Sequence, residues 1–289
     1  MNYRHHYHAG NFADVMKHAL LIQLLRGMQS KAKGLLYLDT HAGRGVYDLT
    51  AASKGDSRVR EPEWPNGIGR LWARQDLPEP LADYVTAVKQ FDHDRGNRDA
   101  LPRYYPGSPS IARLLARPQD RLALYEKQPE EFAALSEEFQ FAPKTTLQPM
   151  DGYVGVRAML PSLERRALVL IDPTFEEQGE FRQVIAALRD GLKRLPGGVF
   201  TVWYPLTERA NAGAFFAELI DLKGPPTLVV ELAIAGEQSG LKMRGCGLAI
   251  INPPWRFDLL AEPVLAALAD IFPQAAGAGY RVNWLVPEE

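Results

Sequence analysis

An apolar run that stops at an aspartate and a proline limits what this chain can fold into. Ala167–Ile171 are all apolar, and Asp172 and Pro173 follow them directly. Such a run is typical of a parallel strand that is buried on both faces of its sheet. In open α/β sheets, ligands bind in the crevice beyond the carboxyl ends of these strands. We therefore place the candidate chemistry of the chain at Asp172.

The composition excludes several classes of protein. The chain has 289 residues, of which 46% are hydrophobic and 24% charged, as expected for a globular protein with one sizeable core. Its single cysteine, Cys246, rules out an intramolecular disulfide and a cysteine-rich zinc site. A net charge of -2 argues against non-specific coating of nucleic acid. Without a long apolar run or a secretory signal, we expect a cytoplasmic protein with no membrane partner.

Three other predicted strands also end at acidic residues. One strand ends at Asp39 and continues into a loop that contains Gly43 and Gly45, while two later strands end at Glu126 and Asp151. Because the carboxyl ends of parallel strands lie at one edge of a sheet, these acids should come together there. The loop lacks the third glycine of a dinucleotide fingerprint, so it is a weak signal by itself.

The order of the predicted elements indicates an α/β fold with one insertion. Alternating strands and helices predict a mostly parallel, Rossmann-like sheet over residues 1–49 and 104–289. Residues 50–103 break this alternation and predict a helical insertion subdomain. The short link between strands at residues 227–234 and 247–252 predicts an antiparallel C-terminal part. Ser108, which precedes a proline, is predicted to cap a helix.

Together these strand ends form the layout of an S-adenosylmethionine-dependent methyltransferase that acts on an exocyclic amine. An adenine N6 amine is a poor nucleophile because its lone pair is delocalised into the ring. Hydrogen-bond acceptors that hold its two N–H groups would localise that lone pair, and Asp172 and the Pro173 carbonyl are the candidates. Phe175 would stack on the target base, which must leave its own stack to be reached.

The sequence resembles a bacterial 23S rRNA adenine-N6 methyltransferase family, RlmJ, older relatives of which were labelled as proteins for the use of external DNA. The resemblance extends from residue 3 to residue 287. Its most specific parts are residues 3–5, 8–11, 13–15, 17–18, 38–43, 103–109, 170–173, 203–205 and 251–255. Many separate matches in one order are more specific than any single motif.

This resemblance implies a class I methyltransferase fold, S-adenosylmethionine as cofactor, and 23S rRNA, naked or partly assembled, as partner. The implied cofactor pocket consists of His18, His41, Ser108, Glu126, Asp151, Gly152 and Asp172, and the glycine loop adds Gly43. Glu126 would bind the ribose hydroxyls, and Asp151 would accept from the adenine amine of the cofactor. Tyr3, His5 and Lys17 would lie over the active site beside Asp172, Pro173 and Phe175. We expect a monomer and no metal ion.

One departure from the family pattern concerns the predicted catalytic motif. The family has Asp-Pro-Pro-Tyr, whereas this chain has Asp172, Pro173, Thr174 and Phe175. Phenylalanine keeps the stacking face of tyrosine. Thr174 removes the restraint that a following proline places on the Pro173 backbone, so we expect a less pre-organised pocket.

Three alternatives compete with this hypothesis. Residues 252–255, Asn-Pro-Pro-Trp, match the amine-methyltransferase motif by letters but lie in the predicted antiparallel region. A DNA-binding or external-DNA-utilisation protein would keep the fold with weak or no activity. A nicotinamide-dependent oxidoreductase is disfavoured by the missing third glycine.

Overall fold

The structure is a computed structural model that describes residues 7–50, 61–176, 179–207 and 209–288, without the side chains of residues 209–211. Its strands are β1 (Leu36–Asp39), β2 (Val46–Asp48), β3 (Tyr104–Pro106), β4 (Arg121–Tyr125), β5 (Thr145–Gln148), β6 (Ala167–Ile171), β7 (Val199–Pro205), β8 (Thr227–Ala233), β9 (Gly245–Ile251) and β10 (Gly279–Val286). Its α-helices are α1 (Phe12–Gln29), α2 (Ile68–Leu71), α3 (Glu79–Asp94), α4 (Ser108–Leu115), α5 (Pro129–Phe139), α6 (Gly152–Met159), α7 (Glu180–Arg194), α8 (Arg209–Asp221) and α9 (Phe257–Ile271).

An eight-stranded sheet in the order β10-β8-β9-β7-β6-β1-β4-β5 forms the centre of the molecule. The five strands from β7 to β5 are parallel to one another, whereas β9 pairs with β7, and β8 and β10 add to it, in antiparallel fashion. This arrangement confirms the predicted Rossmann-like class I methyltransferase fold and its antiparallel C-terminal part. The strand order reverses between β1 and β6, which is where doubly wound sheets bind their ligands.

Helices cover both faces of this sheet. On β6, Leu168 and Leu170 face one hydrophobic cluster, to which α1, α4 and α9 contribute, and Val169 and Ile171 face another, to which α6, α7 and α8 contribute. All five residues of β6 are buried. Burial on both faces explains why the strand is apolar throughout instead of alternating.

The region predicted as a helical insertion contains α2, α3 and a short 3₁₀ helix, Trp64–Asn66, while residues 51–60 lie outside the described residues. On either side of it, β2 and β3 pair with each other as a two-stranded antiparallel ribbon. Leu81, Tyr84 and Val88 of α3 are buried in the cluster that also contains α1. Whether this region is a separate subdomain stays a prediction.

The start of α4 corrects one prediction. The capping position is occupied by Gly107, and Ser108 is the first residue of the helix. The Ser108 hydroxyl does not cap the helix because it donates to Asp39 Oδ2 at 2.7 Å. Because Asp39 is buried and cannot be solvated by water, its carboxylate binds the Ser108 hydroxyl. That hydroxyl is therefore not available to cap the helix.

Candidate active site

A cavity of about 1300 Å³ opens at the carboxyl ends of β4, β1 and β6. It is larger than the roughly 300–1000 Å³ of a typical small-molecule site, so it has room for a cofactor and a second group. The predicted residues that line it are Lys17, His18, His41, Gly43, Ser108, Glu126, Asp172, Pro173 and Phe175. The sheet topology thus brings together residues that are up to 158 positions apart, from Lys17 to Phe175.

A buried cation bridges two carboxylates beside the end of β6. Lys17 Nζ lies 2.6 Å from Asp172 Oδ2 and 2.8 Å from Asp14 Oδ1. Burial disfavours the charge of Lys17, but the two carboxylates outweigh this cost and raise the pKa of Lys17 well above its ordinary value. Within the described part of the chain, no donor contacts Asp172 Oδ1. That oxygen is available to a ligand in the cavity.

The glycine loop after β1 is held by Glu126, which follows β4. Glu126 Oε2 accepts from the Gly43 N–H at 2.9 Å, and Oε1 accepts from the Gln128 N–H at 2.7 Å. Gly43 has a φ of 59°, and a Cβ there would lie 2.6 Å from the Tyr47 hydroxyl. Burial raises the pKa of Glu126, although the two backbone N–H groups offset part of this effect. At position 43, the positive φ and the short distance to the Tyr47 hydroxyl both favour glycine.

Asp39 lies beneath the cavity and is fully buried. Its carboxylate accepts from the Tyr37 and Ser108 hydroxyls and from the His41 N–H. Burial raises the pKa of Asp39 to about 6, and these donors limit the rise. Asp39 therefore links the end of β1 to the start of α4 by hydrogen bonds, directly beneath the cavity.

His41 follows Asp39 and has the opposite response to pH. Its Nδ1 hydrogen-bonds with the Thr40 hydroxyl at 2.8 Å, and its ring meets Tyr153 edge-on. Burial, and to a lesser extent nearby Lys127, lower the pKa of His41 to about 3. The imidazole is therefore neutral at pH 7.

We expect His41→Gln to reduce the loss of stability on acidification. In an unfolded chain histidine titrates near 6.5, so neutral His41 stabilises the folded state fully above that pH, and this contribution is lost as the pH falls towards 3. Between pH 7 and pH 5, the wild type should lose about 1–2 kcal/mol more than the variant, as measured by urea unfolding. Protonation of Asp39 stabilises the folded state as the pH falls through 6, but this change in the free energy of unfolding is the same in the wild type and in the variant. Equal losses in the two proteins would contradict the prediction.

His18 connects the cavity to the insertion through two tyrosines. Its Nδ1 hydrogen-bonds with the Tyr105 hydroxyl at 2.8 Å, which in turn hydrogen-bonds with the Tyr84 hydroxyl at 2.9 Å. All three residues are buried, and burial raises the pKa of Tyr84 and Tyr105. These hydroxyls stay protonated and hold the His18 ring in place from behind.

Phe175 packs at the far end of the cavity in an uncommon backbone conformation. Its φ is 52°, which is strained for an aromatic residue. The ring lies 4.7 Å from the Phe181 ring and 6.0 Å from the Trp203 ring, measured between centroids. Thr174 before it is exposed. Phe175, which is predicted to stack on the target base, therefore packs with Phe181 and Trp203 on the wall of the cavity.

Not every predicted residue reaches the cavity. Asp151 does not line it, and its carboxylate accepts from the Tyr153 N–H at the start of α6. Gly152 does not line it either, since a Cβ there would meet the Thr40 carbonyl oxygen at 2.0 Å. Their roles in cofactor binding stay predictions. Tyr3 and His5 lie outside the described residues.

The Asn-Pro-Pro-Trp motif lies at the opposite edge of the sheet. Asn252 follows β9, which is antiparallel to β7, and its side-chain amide donates to the carbonyls of Pro196 and Gly198 just before β7. Asn252 therefore closes the amino end of β7, away from the cavity at the carboxyl ends.

Comparison with known proteins identifies the family. The family model described as ribosomal RNA large subunit methyltransferase D, RlmJ, matches residues 32–286. The chain belongs to the RlmJ family. Curated relatives named ribosomal RNA large subunit methyltransferase J, from Escherichia coli strain K12 and Haemophilus influenzae, are each 37% identical over the full length of both proteins. The resemblance inferred from the motifs is thereby confirmed.

A solved structure supports the fold of this RlmJ-family chain. Protein LPL1258 from Legionella pneumophila is 34% identical to it and superimposes with a TM-score of 0.84. The match covers 96% of this chain and 98% of that protein. The likeness therefore includes the region around α2 and α3 as well as the central sheet.

Several cavity residues of this family member were not predicted as site residues. Asp14 holds Lys17, and its spacing of three residues from Lys17 within one helix was a readable signal. Trp203 and Met243 line the end of the cavity near Phe175, but they come from the strand β7 and from the β8–β9 connection. Trp203 belongs to the segment 203–205 of the family resemblance, but no local pattern assigns Trp203 or Met243 to the site.

The described residues contain neither a cluster of metal ligands nor a membrane-spanning helix. No group of three or more histidine, cysteine, aspartate or glutamate side chains is arranged to hold a metal ion in the parts of the chain that the structure covers. Across the same ranges, no helix has both the length and the apolar character needed to cross a membrane.

Proposed function

We propose that this protein transfers a methyl group from S-adenosylmethionine to the N6 amine of an adenine in 23S rRNA. The observation that carries the proposal is the geometry at the end of β6, where Asp172 is held by Lys17 through one oxygen and presents the other to the cavity. Membership of the RlmJ family and the names of its relatives support ribosomal RNA as the substrate class.

The cavity fits the cofactor by its size and by its donors and acceptors. The glycine loop and Glu126 would hold the adenosine part near β4, while His18 and Ser108 line the side towards α1 and α4. S-adenosylmethionine would supply the methyl group that is transferred. The 1300 Å³ volume leaves room for a purine base beside Phe175.

Asp172 and Pro173 would act on the base as hydrogen-bond acceptors. Asp172 Oδ1 would accept one N6–H and the Pro173 carbonyl the other, so that the nitrogen lone pair points out of the ring plane. The nitrogen would gain the methyl group as the bond between that methyl and sulfur breaks, and its surplus proton would leave by way of Asp172 Oδ1 to water. Lys17 supplies a positive charge beside Asp172 and fixes the rotation of its carboxyl group through Oδ2. Holding the amine in this orientation against the methyl donor would supply most of the rate acceleration.

The direct test is methylation of a defined RNA. Purified protein, labelled S-adenosylmethionine and protein-free 23S rRNA or a hairpin from it are incubated, and the RNA is digested to nucleosides for mass spectrometry. We expect N6-methyladenosine at one site. Absence of methylated adenosine, or equal affinity for arbitrary DNA with no cofactor-induced thermal shift, would overturn the proposal and favour a DNA-binding protein with the same fold.

Glu126→Ala should weaken cofactor binding about 10- to 100-fold, because it removes a charged hydrogen-bond acceptor and frees the Gly43 loop. Isothermal titration with S-adenosylhomocysteine measures the effect. Glu137→Ala, at an exposed glutamate of α5, is the matched control and should bind as the wild type does. Unchanged affinity in Glu126→Ala would remove this residue from the proposed site.

The β8–β9 connection forms the rim of the cavity near Phe175 and carries two cations. Met243 and Thr207 line the cavity, Arg244 donates to the Thr207 carbonyl at 3.1 Å, and Lys242 is exposed. Because Lys242 and Arg244 flank the cavity-lining Met243 in the sequence, we infer that they contact the phosphates of a bound RNA.

We expect Lys242→Ala to reduce the steepness of the salt dependence of RNA binding. Loss of one phosphate contact should lower the slope of log K against log salt by about 1. Lys31→Ala, at an exposed lysine between α1 and the amino end of β1, is the control. Identical slopes for the two variants would show that this rim does not contact the phosphates.

A further inference from the structure

The insertion is fastened to the segment that leads into α1, which we call the entry segment (residues 7–11). Glu63 Oε1 lies 2.9 Å from His8 Nδ1, and Glu63 Oε2 accepts from the Asn11 side-chain amide at 2.8 Å. The Glu63 N–H donates to the Tyr7 carbonyl, and the Ile68 N–H donates to the Gly10 carbonyl. These side-chain contacts and backbone hydrogen bonds join the entry segment to residues 63–68 of the insertion.

The entry segment belongs to the cavity, whereas the described part of the insertion does not. His8 and Asn11 line the cavity together with Asp14 and Lys17. Within residues 61–103, no residue lines it. The described part of the insertion therefore acts on the site through intermediate contacts, such as those of Glu63 and the hydrogen bonds that join Tyr84 to His18 through Tyr105.

Asn11 is the residue through which Glu63 acts on α1. The Asn11 side-chain oxygen accepts from the N–H groups of Ala13 and Asp14 and so caps the helix. Its amide nitrogen donates to Glu63. Because one amide group makes both sets of contacts, the Glu63 carboxylate fixes which end of that amide faces the helix.

The capped turn leads directly to the buried ion pair. Asp14 Oδ2 accepts from the Gly10 N–H at 3.0 Å, while Asp14 Oδ1 contacts Lys17. Gly10 has a φ of 74°, and the backbones are so close that a Cβ on Gly67 would lie 1.9 Å from the Gly10 oxygen. A shift of the entry segment would therefore move Asp14, Lys17 and the Asp172 carboxylate that Lys17 holds.

We propose that Glu63 is a positioning residue, which orients Asn11 and the entry segment so that Lys17 is presented to Asp172. This inference rests on the proposed methyltransferase function for its effect on rate, but the clamp itself is a property of the free protein. Burial disfavours the Glu63 charge, yet the contacts with His8 and Asn11 outweigh this cost and keep the pKa of Glu63 below its ordinary value. The ionised acceptor is thus the form present at neutral pH.

The test combines amide hydrogen exchange without substrate and turnover with RNA. In Glu63→Ala, exchange of the amides at positions 10–15 should become at least about 10-fold faster. The rate constant kcat should fall about 10-fold, with cofactor affinity and thermal stability close to those of the wild type. Glu63→Gln retains one acceptor oxygen and should lie between wild type and Glu63→Ala. Glu61→Ala, at an exposed glutamate two positions away, should match the wild type in both measurements.

The possible results of these measurements distinguish a positioning role of Glu63 from the alternatives. Unchanged exchange in Glu63→Ala overturns the clamp, and faster exchange with unchanged kcat overturns its role in positioning. A fall in kcat that occurs together with lost cofactor binding and lost thermal stability would show a general structural role instead. If the wild-type protein methylates no RNA, the proposed function fails, while the exchange measurement still shows whether Glu63 holds the entry segment.

Discussion

Asp172→Ala is expected to lower the rate of methyl transfer roughly 10²- to 10⁴-fold, the range typical of a lost group that handles protons at the reacting centre. The variant loses the acceptor for one N6–H and also leaves Lys17 without one of its two carboxylate partners. Single-turnover assays with saturating RNA and cofactor measure the chemical step without a contribution from binding.

Two further variants sharpen this experiment. Asp172→Asn keeps an oxygen acceptor of the same shape but loses the charge that Lys17 neutralises, so its rate should lie above that of Asp172→Ala. Asp190→Ala, at an exposed aspartate of α7, controls for the removal of one carboxylate and should react as the wild type does. A rate for Asp172→Ala equal to that of the wild type would contradict the proposed role of Asp172 in methyl transfer.

Lys17→Met is expected to lower the free energy of unfolding by about 3–5 kcal/mol and to abolish turnover. The methionine fills a similar volume but leaves Asp14 and Asp172 as neighbouring carboxylates with no cation, and Asp14 is only 2% exposed. Without Lys17, the two carboxylates repel each other and have lost the cation that compensated them. The stability deficit is then largest at neutral pH and shrinks as the pH falls and they are protonated.

Urea unfolding at pH 7 and pH 5 measures this deficit. The double variant Lys17→Met with Asp14→Asn removes one uncompensated charge and should recover part of the stability but no activity. Lys193→Met, at an exposed lysine of α7, is the control for a lysine-to-methionine change and should be close to neutral. A deficit in Lys17→Met that is independent of pH would mean that the two carboxylates are not its cause.

The sequence was sufficient to predict the edge of the sheet where the cavity lies. Strand ends at Asp39, Glu126 and Asp172 follow from apolar runs that stop at acids, and the topology of parallel strands then places them together. This argument needs only the local pattern and the rule for parallel strands. It could not show which oxygen of Asp172 is occupied, because that depends on a lysine 155 residues away.

The errors and omissions have a common physical cause. Ser108 was predicted to cap α4, but the buried Asp39 competes for its hydroxyl and Gly107 occupies the capping position. Glu63 was not singled out because its contacts with His8 and Asn11 join distant segments with no periodic pattern. A local sequence pattern shows which hydrogen bonds a side chain could form, but the tertiary contacts determine which of them it does form.

The β2–β3 ribbon has a consequence for how this family can diversify. Val46 pairs with Pro106, so the chain leaves the core and returns to it at neighbouring points. Lengthening or shortening the segment between them changes the closure entropy of that loop only slowly and need not displace the sheet. Glu63 and Gly67 impose the opposite constraint, because they touch the entry segment. We expect length variation among relatives to fall elsewhere in the insertion, with these two positions retained.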